Sequence, residues 1–289
     1  MINVSGLAHS FESNNVLKDV DFNIADKRVV GLVGINGAGK STLLRLMSGV
    51  YKVQEGKVTY DGRSPEEPST RQDIFLLPDD PYYTNNSTCR SLFDLYSTLY
   101  PNAEKAVFYS IIGEFGLPDK KPIRSFSKGM RRQVFVALAF AISPKYLLLD
   151  EAFDGLDPLA RKKFKDRIRA LVNGRGTTVI ISSHSLKELD DFCDEYLLIE
   201  QGNVISTEGK YKDNEEFCKY QLAFADQIDE KLFSDLPVVS LKIIGRVATL
   251  TLNNEEGIED RLNALNPVIM DRLEVTFEEA FISGMEVKS

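Results

Sequence analysis

The residues Gly34-Ile35-Asn36-Gly37-Ala38-Gly39-Lys40-Ser41 fit the spacing G-x-x-x-x-G-K-[ST]. Such a loop suits phosphate: glycines let backbone N–H groups converge on an anion without Cβ clashes, and a helix starting there adds its positive dipole end. Lys40 would bridge the β- and γ-phosphates, and the Ser41 hydroxyl is a hard oxygen of the kind Mg²⁺ prefers. A glycine-rich turn with a surface lysine is the bland alternative, and the strand before and helix after the loop argue against it. Further along, Tyr146-Leu147-Leu148-Leu149 runs into Asp150-Glu151. Two carboxylates at the end of an apolar strand could hold a metal through its water shell (Asp150) and orient or deprotonate an attacking water (Glu151). Taken alone, the pair fits an acidic turn equally well. His184 follows another apolar run, where it could reach a γ-phosphate, while Phe126-Ser127-Lys128-Gly129-Met130 opens a long apolar helix with Ser127 placed as its N-cap. That helix start suggests a second anion site, although in isolation a capped core helix is the better reading, and only its place between the phosphate loop and the acidic pair shifts the balance.

Placing these groups together requires a layered α/β frame. Short apolar runs at Val29 to Val33, Ile74 to Leu77, Tyr146 to Leu149, Val179 to Ser182 and Tyr196 to Ile199 suit buried parallel strands. Helical stretches lie between them: Ser41 to Ser48, Ser127 to Ile142 and Leu159 to Asn173, the last closed by Gly174. In open α/β sheets ligands bind at the carboxyl edge, where the phosphate loop, Asp150-Glu151 and His184 would all emerge. Asn3 to Leu7, Val20 to Ile24 and Gly56 to Tyr60 read as an antiparallel side sheet, and residues from about 81 to 142 as a helical subdomain. Beyond about Gln221 the pattern changes to a hairpin around Gly245-Arg246, a helical face at Ile258, Leu262 and Leu265, a strand near Leu273 to Val275 and a final helix from Thr276. We therefore expect a domain over 1–220 and a small accessory domain over 221–289.

With these motifs in this order, residues 1 to about 220 resemble the ATP-binding-cassette (ABC) ATPase family. Gly34 to Ser41 matches its Walker A motif, Phe126 to Met130 its signature, and Leu147 to Asp150 with Glu151 its Walker B motif and catalytic glutamate. Phe153 to Asp157 is similar to the D-loop, His184 to the switch histidine, and Phe11 to the aromatic residue that stacks on adenine. The resemblance implies a P-loop NTPase of α/β class, an ABC ATPase core with antiparallel β side sheet and helical subdomain, followed by a small C-terminal α/β appendix. It implies Mg²⁺-dependent ATP hydrolysis, with Glu151, His184 and Lys40 catalytic. ATP would be bound by Phe11, Val16, Asn36, Gly37, Ala38, Gly39, Lys40, Ser41 and Thr42 of one chain and by Ser127 and Gly129 of a second, in a head-to-tail pair, most simply a homodimer. Ser41, Asp79 and Asp150 would attend the metal. The sequence departs from the family pattern at Lys128 and Met130, where glycine and glutamine are commonest, and at Asp79, which takes the position of the Q-loop glutamine.

Single-cassette organisation, the signature variant and the ending Thr276-Phe277-Glu278-Glu279-Ala280-Phe281 are most similar to exporter ATPases of the ABC-2 type, which work with a separate membrane-spanning permease subunit. Aromatics between Pro81 and Tyr96 would suit docking of that subunit. A soluble ABC ATPase with a non-transport role and a non-catalytic nucleotide sensor remain alternatives. A GTPase lacks support, since the chain has no Asn-Lys dipeptide for an Asn-Lys-x-Asp base reader. A net charge of -8 argues against nucleic acid as partner. The longest apolar run, Val134 to Ile142, is about half of the roughly 20 residues a membrane span needs, so we expect a cytoplasmic protein held at the membrane face through its partner. Cys89, Cys193 and Cys218 have neither disulfide nor zinc spacing.

Overall fold

The structure, a computed structural model, describes residues 1–189, 192–206, 217–275 and 279. The chain divides into two compact units, Met1–Glu208 and Gly209–Ser289. In chain order the first holds β1 (Ile2–Phe11), β2 (Asn14–Ile24), β3 (Val29–Val33), α1 (Lys40–Met47), β4 (Glu55–Tyr60), α2 (Pro68–Arg71), β5 (Ile74–Leu77) and α3 (Cys89–Leu99). It continues with α4 (Lys105–Glu114), α5 (Lys128–Ile142), β6 (Tyr146–Leu149), α6 (Pro158–Arg175), β7 (Thr178–Ser183), α7 (Leu186–Leu189), β8 (Glu195–Glu200) and β9 (Asn203–Ser206). The second holds β10 (Phe217–Ala223), β11 (Val238–Ile244), β12 (Val247–Asn253), α8 (Ile258–Asn263) and β13 (Ile269–Leu273).

The first unit is built on a six-stranded sheet of order β5-β6-β7-β3-β8-β9, parallel except for β9, which pairs antiparallel with β8. Every residue of β3, β6 and β7 is buried, which is why their sequences do not alternate: β3 and β6 read as continuous apolar runs, and β7 as Val179 to Ile181 flanked by the buried hydroxyls of Thr178, Ser182 and Ser183. The side sheet β2-β1-β4 is antiparallel, and β1 alternates between buried and more open positions as a half-covered sheet should. Leu43, Leu44, Leu46 and Met47 of α1 share one core with Val30 and Leu32 of β3, Leu148 of β6, Ile180 of β7 and Ile2, Val4 and Tyr60 of the side sheet. Each fully buried leucine there contributes about 1.5–3 kcal/mol, so burial anchors α1, and the loop that precedes it, to the central strand.

The helical part spans α3, α4 and α5. Thr88 and Ser91 form a capping box at the start of α3, and Phe93 packs on Phe108 of α4 with ring centroids 5.1 Å apart. Helix α5 starts at Ser127, whose Oγ accepts the Met130 N–H at 3.2 Å, and ends where Ser143 turns left-handed ahead of Pro144.

The second unit is an antiparallel sheet of order β11-β12-β10-β13 with α8 against it, Ile258 and Leu262 joining Tyr220, Leu222, Leu250 and Leu252 in a core of its own. Helix α6 runs through Gly174, the expected stop, and closes at Gly176 with φ 72°, because only the later glycine turns into the left-handed region. Strand β13 ends at Leu273 instead of beginning there, and the sequence did not single out β9 or β10 as strands. The expected helix from Thr276 lies outside the described residues. Among those residues no helix is long and apolar enough to cross a membrane.

Candidate active site

Four strands of the sheet deliver the site. In register, Val33 lies beside Ser183, Leu149 beside Ile181 and Leu77 beside Leu149, and the strands run the same way, so the loops that leave their carboxyl ends emerge along a single edge. After β3 comes the phosphate loop, after β5 Asp79, after β6 Asp150 and Glu151, after β7 His184. A cavity of about 520 Å³ opens there. The phosphate loop and the start of α1 line it with Asn36, Gly37, Gly39, Lys40, Ser41 and Thr42, together with Val16, Asp79, Glu151, Asp154 and His184.

The loop is shaped by backbone. Gly39 has φ 112° and is the N-cap of α1; an added Cβ would press on Val16 O, Leu17 and Ile199 at 3.2 Å. No side chain caps α1 and no acidic residue occupies its first turn, so its leading N–H groups are left for an anion. Lys40 is buried; its Nζ donates to the carbonyls of Gly34 at 2.7 Å and Ile35 at 3.3 Å and lies 3.4 Å from Glu151 Oε1. The other oxygen of Glu151 is 3.1 Å from His184 Nδ1, so lysine and histidine hold the two ends of one carboxylate.

Asp150 lies behind this surface, 2% exposed, its Oδ1 accepting from Ser182 Oγ at 2.8 Å. The same Ser182 oxygen accepts the Glu151 N–H at 2.9 Å. Ala38 is buried beneath the loop, and Phe11 does not line the cavity. The Phe11 ring is 45% exposed and stands edge-on to His9 at 4.8 Å, while His9 stacks on Tyr51 at 5.9 Å. Burial lowers the His9 pKa below its ordinary value. Ser127 and Gly129 sit outside this cavity, at the head of α5. A Cβ on Gly129 would come within 2.5 Å of Gly155 O, so the glycine also permits a close approach of the signature to the loop Phe153–Asp157.

The residues present fit a nucleoside triphosphate and a hard divalent cation: uncapped helix N–H groups and a buried ammonium for phosphate, and Ser41, Asp79, Asp150, Glu151 and Asp154 as oxygen donors for the cation. Sequence reasoning passed over Ser182, which serves both Asp150 and Glu151, the His9–Tyr51 backing of Phe11, and Arg132 on α5. Arg132 gave one signal, a charge just ahead of the apolar run Val134 to Ile142, and it is 4% exposed.

A phosphate loop on the central strand, with an acidic pair at the end of a strand two places away, defines a P-loop nucleoside-triphosphate hydrolase. Comparison with known proteins narrows the class. Residues 17–154 match the family described as ABC transporter. The chain is 28% identical over 286 residues to the ABC transporter ATP-binding protein YtrB of Bacillus subtilis (strain 168), covering 98% of this chain and 97% of that one. It is 30% identical over 217 residues to the lipopolysaccharide export system ATP-binding protein LptB of Haemophilus influenzae, covering 72% of this chain and 90% of that one. A solved structure described as the ATP binding subunit of an ABC transporter superposes with TM-score 0.66 at 27% identity, covering 72% of this chain and 89% of that one. The chain belongs to the ATP-binding subunits of ABC transporters, a family that binds and hydrolyses ATP.

Proposed function

We propose that this subunit powers export through a separate membrane-spanning permease, closing head-to-tail with a second copy of itself around ATP and Mg²⁺. The observation that carries the hydrolytic part is the clamp on Glu151, held between Lys40 and His184 at the mouth of the phosphate loop. On nucleotide binding Lys40 would exchange its carbonyl partners for the β- and γ-phosphates, and Ser41, Asp150 and Asp79 would hold the cation. Mg²⁺ supplies charge neutralisation across the phosphates. Glu151 takes a proton from water as the water oxygen bonds to the γ-phosphorus; the bond from that phosphorus to the β,γ-bridging oxygen breaks, and ADP leaves with the electron pair. Such transfers depend mainly on positioning and charge, so a carboxylate of ordinary basicity suffices.

Ser127 and Gly129 would face the triphosphate of the opposite copy, so ATP bridges both halves and its hydrolysis releases them. Phe11, stiffened by His9 and Tyr51, would carry the adenine. Export is supported by the name of LptB, an export-system protein, and the ABC-2 branch by the signature variant Lys128-Gly129-Met130. For the permease, a groove of about 700 Å³ between β5 and α3 offers Tyr82, Tyr83, Leu95 and Tyr96, with Tyr82 83% exposed. Docking there would hold the chain at the cytoplasmic face of the membrane. The boundary expected near residue 220 falls inside β10, a strand of the second sheet, so we assign Met1–Glu208 to the ATPase domain and Gly209–Ser289 to an accessory domain. The alignment with YtrB extends through the latter, which supports a role common to that relative and this chain.

The test is affinity purification of tagged Glu151→Gln protein from gently solubilised membranes of its source cells, with ATP and Mg²⁺. A polytopic membrane protein in stoichiometric amount is expected; exclusively soluble partners would favour the non-transport alternative.

A further inference from the structure

The buried Arg132 on α5 does not line the cavity at the phosphate loop. Arg132 lies one turn past Ser127, and its guanidinium reaches two other parts of the chain. Nη1 donates to the carbonyls of Pro78 at 2.6 Å and Asp79 at 3.0 Å; Nη2 donates to the carbonyl of Asp150 at 2.7 Å and to that of Glu151. The Asp79 carboxylate is 3.8 Å away. Burial works against the positive charge, and Asp79, Asp154, Asp150 and Glu151 together oppose that loss. A guanidinium suits the task because its planar fork serves several oxygens at once, which an ammonium on a flexible stem does not.

What those bonds restrain is unusual. Glu151 has φ 46°, in the left-handed region, where a Cβ crowds the following carbonyl oxygen. Its peptide is fixed on both sides, the N–H by Ser182 and the carbonyl by Arg132. Without the second bond the backbone would be free to relax toward ordinary φ, swinging the carboxylate away from His184 and Lys40.

We propose that Arg132 is a positioning residue for ATP hydrolysis: it holds Glu151 in its left-handed conformation, fixes the Asp79 peptide beside it, and so ties the aim of the hydrolytic carboxylate to the helix that begins with Ser127 and Gly129. The inference rests on Glu151 being the hydrolytic carboxylate. It makes turnover sensitive to the orientation of α5: a tilt of that helix pulls on both catalytic-edge peptides through one side chain.

The experiment uses the full chain. Steady-state kcat and KM for MgATP, nucleotide Kd and thermal stability are measured for Arg132→Gln and Arg132→Lys, with single-turnover rates for Glu151→Gln and for the Arg132→Gln/Glu151→Gln double variant. Arg132→Gln is expected to lower kcat at least about tenfold while leaving Kd within about threefold, Arg132→Lys to recover part of the kcat, and the double variant to be no slower than Glu151→Gln alone. If Arg132→Gln does not fold, Arg132→Lys is held to the same separation, with a kcat loss of at least about threefold. Unchanged kcat, a parallel loss of kcat and Kd, or additional slowing in the double variant would each overturn the proposal. Retained turnover in Glu151→Gln itself would remove the underlying reading of Glu151, a result visible before any Arg132 variant is compared.

Discussion

Replacing Ser182 with alanine tests how far the catalytic edge depends on a residue that touches no substrate. The serine is fully buried; its Oγ donates to the Asp150 carboxylate at 2.8 Å and accepts the Glu151 N–H at 2.9 Å. Losing a hydrogen bond to a charged group costs about 1.5–3 kcal/mol, and leaving a buried N–H without a partner costs about 1–3 kcal/mol more. The volume change is small, so no cavity term of note is added. Ser182→Ala should therefore destabilise the protein by about 2.5 to 6 kcal/mol, which lowers a urea midpoint by about 1–2 M at a slope of about 3 kcal/mol/M. Turnover should fall at least about tenfold, because both the Asp150 carboxylate and the peptide of Glu151 lose a restraint. The exposed Ser125, whose Oγ donates to Pro122 O at 2.7 Å, is the control, and its alanine variant should stay within about 0.5 kcal/mol of wild type. A Ser182→Ala loss below about 1 kcal/mol would refute the account, since it would mean that neither bond is made in solution.

Two further outcomes concern titratable groups. Burial lowers the pKa of His9 in the folded chain below that of the unfolded chain, so its contribution to stability is complete above about pH 6.5 and is lost as pH falls through that value toward the folded pKa. Unfolding free energy measured from pH 7.5 to 5 should decline more steeply in wild type than in His9→Leu, and parallel curves would contradict this. Burial pushes the Cys89 thiol up to about 11, with Asp119 adding to the effect, and raises Cys193 and Cys218 in the same direction. At pH 7.5 a colorimetric thiol reagent should leave the native protein almost untouched and titrate all three cysteines after denaturation; rapid labelling of the native form would show the burial to be wrong.

The parts of the site legible in the sequence are those set by local pattern. The phosphate loop, its strand and its helix come from one continuous stretch; the acidic pair comes after a run whose uniform apolarity marks a strand buried on both faces, and His184 after one that is apolar up to Ser182-Ser183. Burial cannot be read the same way for Arg132, because its four carbonyl partners lie 18 to 54 positions away and no periodicity links them. Ser182 looked like the polar end of a strand for the same reason. Strand β9 was hidden by its turn, where Gln201 and Gly202 both take positive φ without the Asn-Gly or Asp-Gly pair that usually announces a hairpin. Strand β10, at the centre of the second sheet, mixes Lys219 and Gln221 with Tyr220 and Leu222, which blurs it into the polar stretch before it. At the end of α6, two glycines stood two residues apart, and composition alone could not tell which would leave the helix.

The strand order also sets a timetable for synthesis. β3 is buried between β7 and β8, and both of those neighbours come later in the chain; Val33 and Thr178 are 145 positions apart. At about 5–20 residues per second, a ribosome reaches β7 roughly 7 to 30 seconds after finishing β3. For that interval a strand destined for complete burial, and the phosphate loop attached to it, have no lateral partners. A nascent chain stalled anywhere between α1 and α6 would thus present an unpaired hydrophobic strand to the cell, and chaperone capture of ribosome-bound fragments should be strongest over that span and fall once β8 has emerged.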